Sequence, residues 1–141
     1  MESLISLEKK INSELSTKIN SSKIKHNHLY LNIDANDLID IMLFLKTNKD
    51  TSFRQLIDIT AVDYPYNEKR FKLVYLLLGH EFNQRIHLDY NISEKEIANS
   101  ITSIFPSANW MEREVFDMYG ISFKNHPDLR RILTDYGFEG H

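Results

Sequence analysis

With 141 residues, the chain has room for one domain with a real core and too few for two ordinary ones; 42% hydrophobic and 26% charged residues exclude the disordered class. A net charge of −3, with no basic cluster beyond Arg130-Arg131, argues against a nucleic-acid surface, and the absence of cysteine removes disulfides, thiolate nucleophiles and Cys-held zinc or iron–sulfur centres. No apolar run approaches the roughly 18 residues of a membrane-spanning helix, since the densest candidate, Leu38 to Leu45, is broken by Asp40.

The N-terminal segment sets Leu4, Leu7, Ile11, Leu15 and Ile19 in a helix-like pattern among alternating acids and bases, which predicts a helix over residues 1–22. It has neither the unbroken apolar stretch of a secretory signal nor the Arg-rich, acid-poor composition of a transit peptide, and it reads as mature protein. After a break at Ser21-Ser22, His28 to Ile33 alternates in the period of a strand. Asp34 or Asn36 can cap a helix from Asp37 to Lys46, with Leu38, Ile41, Met42 and Leu45 on one face. Phe53 to Val62 reads as a strand, and Tyr64-Pro65-Tyr66-Asn67 as the turn that follows.

Phe71 to Leu78 is apolar at almost every position, as in a central strand, and Arg85 to Tyr90 alternates cleanly, so the two form an antiparallel hairpin across Gly79 to Asn83. Ser93-Glu94-Lys95-Glu96 has the pattern of a capping box, which predicts a helix with Ile97, Ile101 and Ile104 as its buried stripe, ending before Pro106. The expected fold is α+β, a two-layer domain with helices on a mixed or antiparallel sheet, followed by a short helix and an extended C-terminal arm. In chain order this gives an N-terminal helix over 1–22, an α+β platform over 23–108, and a helix with a partner-binding arm over 109–141.

Asn109 can cap a helix from Trp110 to Tyr119, with Gly120 as its left-handed stop, Trp110, Met111, Val115 and Met118 as its apolar side, and Arg113 paired to Asp117. On residue types alone its charges form a solvated face. Beyond Gly120 the segment is too apolar for a free linker and too rich in Gly, Pro and aromatics for an ordinary core element. That mixture suits an arm laid on a partner, with Ile121, Phe123, Leu129, Ile132, Leu133 and Phe138 as anchors and Arg130, Arg131 and Asp135 fixing register.

Glu112-Arg113-Glu114, Asp117-Met118-Tyr119-Gly120, His126-Pro127-Asp128-Leu129-Arg130-Arg131-Ile132-Leu133 and Asp135-Tyr136-Gly137-Phe138-Glu139-Gly140-His141 closely resemble the signature of the 30 kDa subunit family of respiratory complex I. The family comprises the C subunit of the bacterial enzyme and subunit 9 of mitochondrially encoded sets. Phe53 to Asp63 resembles it too, so the likeness covers roughly the last two thirds of the chain. It implies a structural, docking subunit in the hydrophilic arm of a proton-translocating NADH:quinone oxidoreductase, without a cofactor or catalytic centre of its own. FMN and the iron–sulfur clusters, which carry electrons from NADH to quinone, would sit in partner subunits. The implied neighbours are the large quinone-site subunit and the subunit with the terminal iron–sulfur cluster. The location would be peripheral on the inner membrane, on the cytoplasmic side in bacteria or the matrix side in mitochondria, touching the bilayer only through partners. The equivalent subunit of a membrane-bound hydrogenase or photosynthetic NDH-type complex shares the signature and is the alternative. The family usually continues past Gly140-His141 into Pro-Leu-Arg-Lys-Asp-Phe-Pro, whereas this sequence ends at His141. The docking candidates are Glu112, Arg113, Glu114, Asp117, Tyr119, Gly120, His126, Pro127, Arg130, Arg131, Asp135 and Phe138.

The residues themselves favour anchoring over catalysis. Glu112 and Glu114 point about 200° apart on a helix, and no His stands at ligand spacing from either. His126 before Pro127 reads as a hydrogen-bonded structural or interface group, and His80 as a solvated turn residue. No serine sits in a GxSxG elbow, and Gly79 alone cannot cradle a phosphate. Tyr64, Tyr66, Tyr75 and Tyr90 raise a small nucleic-acid-binding module as the other class, but Tyr75 and Tyr90 lack flanking Lys and Arg and read as core.

Overall fold

The computed structural model describes residues 2–129. Helix α1 (Glu2–Glu14) leads into β1 (Ile19–Lys25) and β2 (His28–Ile33); a single 3₁₀ turn precedes α2 (Leu38–Thr47). Three long strands follow, β3 (Gln55–Asp63), β4 (Phe71–Gly79) and β5 (Gln84–Ile92), and then the two-residue β6 (Ala98–Asn99), α3 (Ala108–Tyr119) and β7 (Phe123–Lys124). The main sheet has the order β1-β2-β5-β4-β3, antiparallel throughout except for the parallel β2–β5 pair. The α+β, two-layer expectation stands, with a mixed sheet.

Period-2 alternation sets the two faces. Leu29, Leu31 and Ile33 of β2, Leu73, Tyr75 and Leu77 of β4, and Ile86, Leu88 and Tyr90 of β5 are buried and point toward the helices. The helices return the contact with Leu4, Leu7 and Ile11 of α1, Leu38, Ile41, Met42 and Leu45 of α2, and Val115 and Phe116 of α3. All belong to one hydrophobic cluster, which also takes in Ile121, Phe123 and Leu129. The described parts of all three stretches set apart in the sequence contribute to this cluster.

Two expected helices are corrected. The N-terminal helix ends at Glu14, and Ile19–Lys25 is an edge strand, joined to β2 through His26 and Asn27 at φ 52° and 63°. Two consecutive left-handed residues make the tight turn whose twist matches that of paired strands. The helix expected after Ser93 does not form. Glu96 does reach back to the Ser93 amide at 2.9 Å, but its carboxylate also holds Lys69 at 2.5 Å. The amides of Ala98 and Ser100 are given to the carbonyls of Ser122 and Lys124, and that of Ile101 to Glu112. With those donors spent across the chain, no helical ladder is left to build. Ile101 and Ile104 are buried as expected, while Ile97 is exposed.

The turn after β3 closes with the Asn67 amide on Tyr64, and α2 starts one residue late, capped by Asp37 without a side-chain bond. Gly79 is required by close approach, since a Cβ there would lie 3.1 Å from the buried ring of Phe53. His80 is exposed and meets Gln55 at 2.5 Å.

In the core, the Tyr75 and Tyr90 hydroxyls bond each other at 2.8 Å, and burial raises both pKa values. Tyr75→Phe or Tyr90→Phe alone strands the remaining hydroxyl and is expected to cost about 1–3 kcal/mol in urea unfolding, with the double variant losing less than the sum. Additive losses would show that the two hydroxyls do not depend on each other.

Candidate docking site

Helix α3 carries the signature residues, and its geometry divides them into two sets. Ala108, Glu112, Val115 and Phe116 form the inward face, packed mainly over β3. Trp110, Arg113, Glu114, Asp117 and Met118 fall on the other side at spacings of three and four. Trp110 and Met118 are 69% and 74% exposed, so the expected apolar side is corrected: of Trp110, Met111, Val115 and Met118 only Val115 is fully buried, with Met111 partly so. A buried acid takes the place that an apolar residue was expected to fill.

That acid, Glu112, has no solvent exposure. Its Oε2 accepts the Ile101 amide at 2.8 Å, while Oε1 is buried without a hydrogen-bond partner, 3.9 Å from His126 Nε2. Burial pushes its pKa from 4.5 up to about 7, against the opposing pull of the Ile101 amide and the Ser100 hydroxyl. His126 is also fully buried. Its Nε2–H donates to the Asn109 carbonyl at 2.8 Å, and its Nδ1 accepts the amides of Asp128 and Leu129, both at 3.1 Å. Accepting at one nitrogen and donating at the other defines the neutral ring, so its contact with Glu112 is not an ion pair.

Gly120 ends α3 in the left-handed conformation, φ 73° and ψ 14°, as the sequence indicates, and Tyr119 packs edge-on against Phe71 at 6.2 Å. The N-terminal cap is Ser107, without a side-chain bond, and Asn109 lies inside the first turn. Arg113 Nε, itself buried without a hydrogen-bond partner among the described residues, lies 3.8 Å from the exposed Asp117 carboxylate. Glu114, Asp117 and Pro127 are exposed. Glu114, Met118 and Tyr119 line one side of a groove of about 210 Å³, with Asp58 and Thr60 of β3 on the other.

Of the twelve candidates, the structure brings Arg113, Glu114 and Asp117 together on one outer face, puts Glu112 and His126 inside, and leaves Tyr119 and Gly120 half-buried between. Arg130, Arg131, Asp135 and Phe138 lie outside the described residues, as do Ile132 and Leu133. Ile121, Phe123 and Leu129, expected as anchors on a partner, are buried in this chain's own core. Sequence reasoning missed Trp110 and Met118 as surface groups. Their only signal was that an apolar stripe through 110 and 118 competes with one through 108, 112, 115 and 116.

The whole arrangement is that of an α+β domain presenting one pinned helix with an apolar and acidic outer face. The fold is shared with a chain of the membrane-bound sulfane sulfur reductase, an archaeal respiratory membrane complex, at a TM-score of 0.75 and 21% identity, over 96% of this chain and 92% of that one. The sequence matches the family described as respiratory-chain NADH dehydrogenase, 30 Kd subunit, over residues 31–141, and the chain belongs to that family. It is 42% identical to the C subunit of NADH-quinone oxidoreductase from Chelativorans sp. (strain BNC1), over 99% of this chain and 70% of that protein. It is 56% identical to NADH dehydrogenase (ubiquinone) iron-sulfur protein 3 of Beta trigyna, over 74% of this chain and 54% of that protein. The resemblance read from the signature is thereby shown, and this chain spans between 54% and 70% of the length of these two relatives.

Burial of Glu112 ties stability to pH. With its pKa at 4.5 in the unfolded chain and about 7 in the fold, the group's stabilising contribution is fully present below about pH 4.5 and lost as pH rises through 7. Glu112→Gln, which holds the neutral form, is expected to remove a drift of roughly 3 kcal/mol between those limits, read from urea unfolding across a pH series. Parallel pH profiles for the two proteins would contradict a raised carboxyl.

Proposed function

We propose that this chain is a structural docking subunit in the hydrophilic arm of NADH:quinone oxidoreductase, and that the outer face of α3 seats it on the large quinone-site subunit. The observation that carries this reading is the exposure of Trp110 and Met118 beside Glu114 and Asp117, on a helix whose opposite face is fixed by Glu112. Large apolar side chains rimmed by charge are the composition of an interface centre and its edge. The groove along β3 gives such a contact a concave border.

The chain would hold no cofactor. Without cysteine it has no thiolate to offer an iron–sulfur cluster, so electrons would pass through FMN and clusters held by partners, including the subunit with the terminal cluster. No helix among the described residues is long and apolar enough to cross a membrane, and attachment would run through partner subunits at the cytoplasmic or matrix side of the inner membrane. One relative is named as a subunit of NADH-quinone oxidoreductase and the other as a protein of NADH dehydrogenase (ubiquinone), which favours this assignment over a hydrogenase or photosynthetic complex.

The test is assembly in cells that make the partner subunits. Trp110→Ala with Met118→Ala is expected to lower incorporation into the complex on a native gel by about tenfold or more, with the isolated chain's stability changed by only ~0.5 kcal/mol. Arg113→Ala or Asp117→Ala should lower incorporation by less, because exposed ion pairs contribute little. Normal incorporation of all these variants would rule out α3 as the contact, and neighbours unrelated to the quinone-site subunit in the co-purified material would rule out the partner.

A further inference from the structure

The side of the sheet away from the helices is the second large feature left open. The outward positions follow from register: Lys23 pairs with Tyr30 and Tyr30 with His87; Lys25 pairs with His28; Asn32 pairs with Asp89; Lys72 pairs with Asn91 and Leu78 with Arg85. Their chain neighbours Leu29, Leu31, Ile86 and Leu88 are buried under the helices, so these side chains point the other way. On the outward positions of β1, β2, β4 and β5 the cations are Lys23, Lys25, Lys72 and Arg85, and the single carboxylate is Asp89. A chain of net charge −3 thus carries a locally basic surface.

These cations are not balanced by carboxylates among the described residues. Lys10, Lys18, Lys69 and Arg70 each hold a carboxylate within 3.5 Å. Lys23, Lys25 and Lys72 form no ion pair among the described residues, although all three border one cleft of about 480 Å³ with His26, Tyr30 and Asp89. Asp89 is already held by the Asn32 side-chain amide at 2.6 Å, and among the described residues Arg85 reaches only Asn83. The floor beside the cleft is ordered: Tyr30 stacks on His87 at 4.4 Å and 8°, and His28 Nδ1 meets His87 Nε2 at 2.7 Å. Burial, with His28 beside it, lowers the His87 pKa.

We propose that this helix-free face is a second docking surface, separate from α3, and that it receives an acidic segment of a partner polypeptide. Charge complementarity selects the occupant: side-chain carboxylates can meet Lys23, Lys25 and Lys72, while backbone amides of the same segment can meet Asp89. A nucleic acid fits the same face poorly. The Tyr30 ring has His87 on one side and Lys23 Nζ 5.9 Å from its centroid, which leaves no open platform for a base. A phosphate backbone would also have to pass the Asp89 carboxylate in the cleft.

The experiment uses the full chain and three fluorescent probes at about 50 mM salt, where exposed charges are weakly screened. They are a peptide of alternating Glu and Ala, its Gln and Ala counterpart, and a single-stranded oligonucleotide of equal charge. The acidic peptide is expected to raise anisotropy saturably, and Lys23→Glu with Lys25→Glu and Lys72→Glu should weaken it by about tenfold or more. Trp110→Ala with Met118→Ala should leave it unchanged, which separates this face from α3. If charge reversal unfolds the chain by circular dichroism, the triple Lys→Gln variant makes the same test. Equal binding of the neutral peptide, tighter binding of the oligonucleotide, or undiminished binding by the folded lysine variant would each overturn the proposal.

Discussion

A carboxylate with no solvent contact holds the end of this domain together. Glu112 accepts the Ile101 amide at 2.8 Å, which joins α3 to the irregular segment between β6 and the helix. Burying an ionised carboxyl is expensive unless donors surround it, and the answer here is partial: one oxygen is bonded, the other is not, and the pKa rises to about 7. Around that point the chain is stitched a second time, by His126 to the first turn of α3, and a third time, by Lys46 to the Ile104 carbonyl. Segments that are neighbours in space but far apart in the chain, from α2 to the residues beyond β7, thereby share one polar knot beneath the helix layer.

The knot explains which parts of the fold could be read from the residues. Strands β2, β4 and β5 and helix α2 follow their hydrophobic period, because each buries a regular face of its own and the pattern needs no outside partner. The segment after Ser93 has an equally regular helical pattern and forms no helix, because its amides are claimed by Ser122, Lys124 and Glu112. Nothing local announces those partners. Strand β1 fails for a related reason. Its residues alternate only weakly, and its strand form depends on pairing with β2 through a His26-Asn27 turn that carries no glycine.

The candidate site was legible as a set of letters and only partly as a surface. Gly120 could be assigned by its role as a helix stop, and the structure keeps it there. Glu112 and His126 looked like interface groups because charged and titratable side chains are usually outside. They are inside because backbone groups meet them there, the Ile101 amide for Glu112 and the Asn109 carbonyl with the Asp128 and Leu129 amides for His126, and no spacing rule reveals those partners. Conversely, Trp110 and Met118 looked like core because large apolar side chains usually are, and they stand out from the helix.

A motif of this kind therefore mixes residues that hold the helix still with residues that face outward. The two roles depend on each other. An exposed aromatic on a loose helix would lose rotational and backbone freedom on binding, and that loss would offset much of what its burial contributes. With Glu112 and His126 fixing the back of α3 and Gly120 fixing its end, Trp110, Arg113, Glu114, Asp117 and Met118 are presented in one register before any partner arrives. The sheet's open side follows the same rule by other means, since the strand ladder and the Tyr30–His87–His28 stack hold its cations on a rigid floor. The outward side chains of neither surface belong to the core cluster. Substitutions that face outward can then change association while leaving the fold alone, whereas a change at Glu112 reaches both.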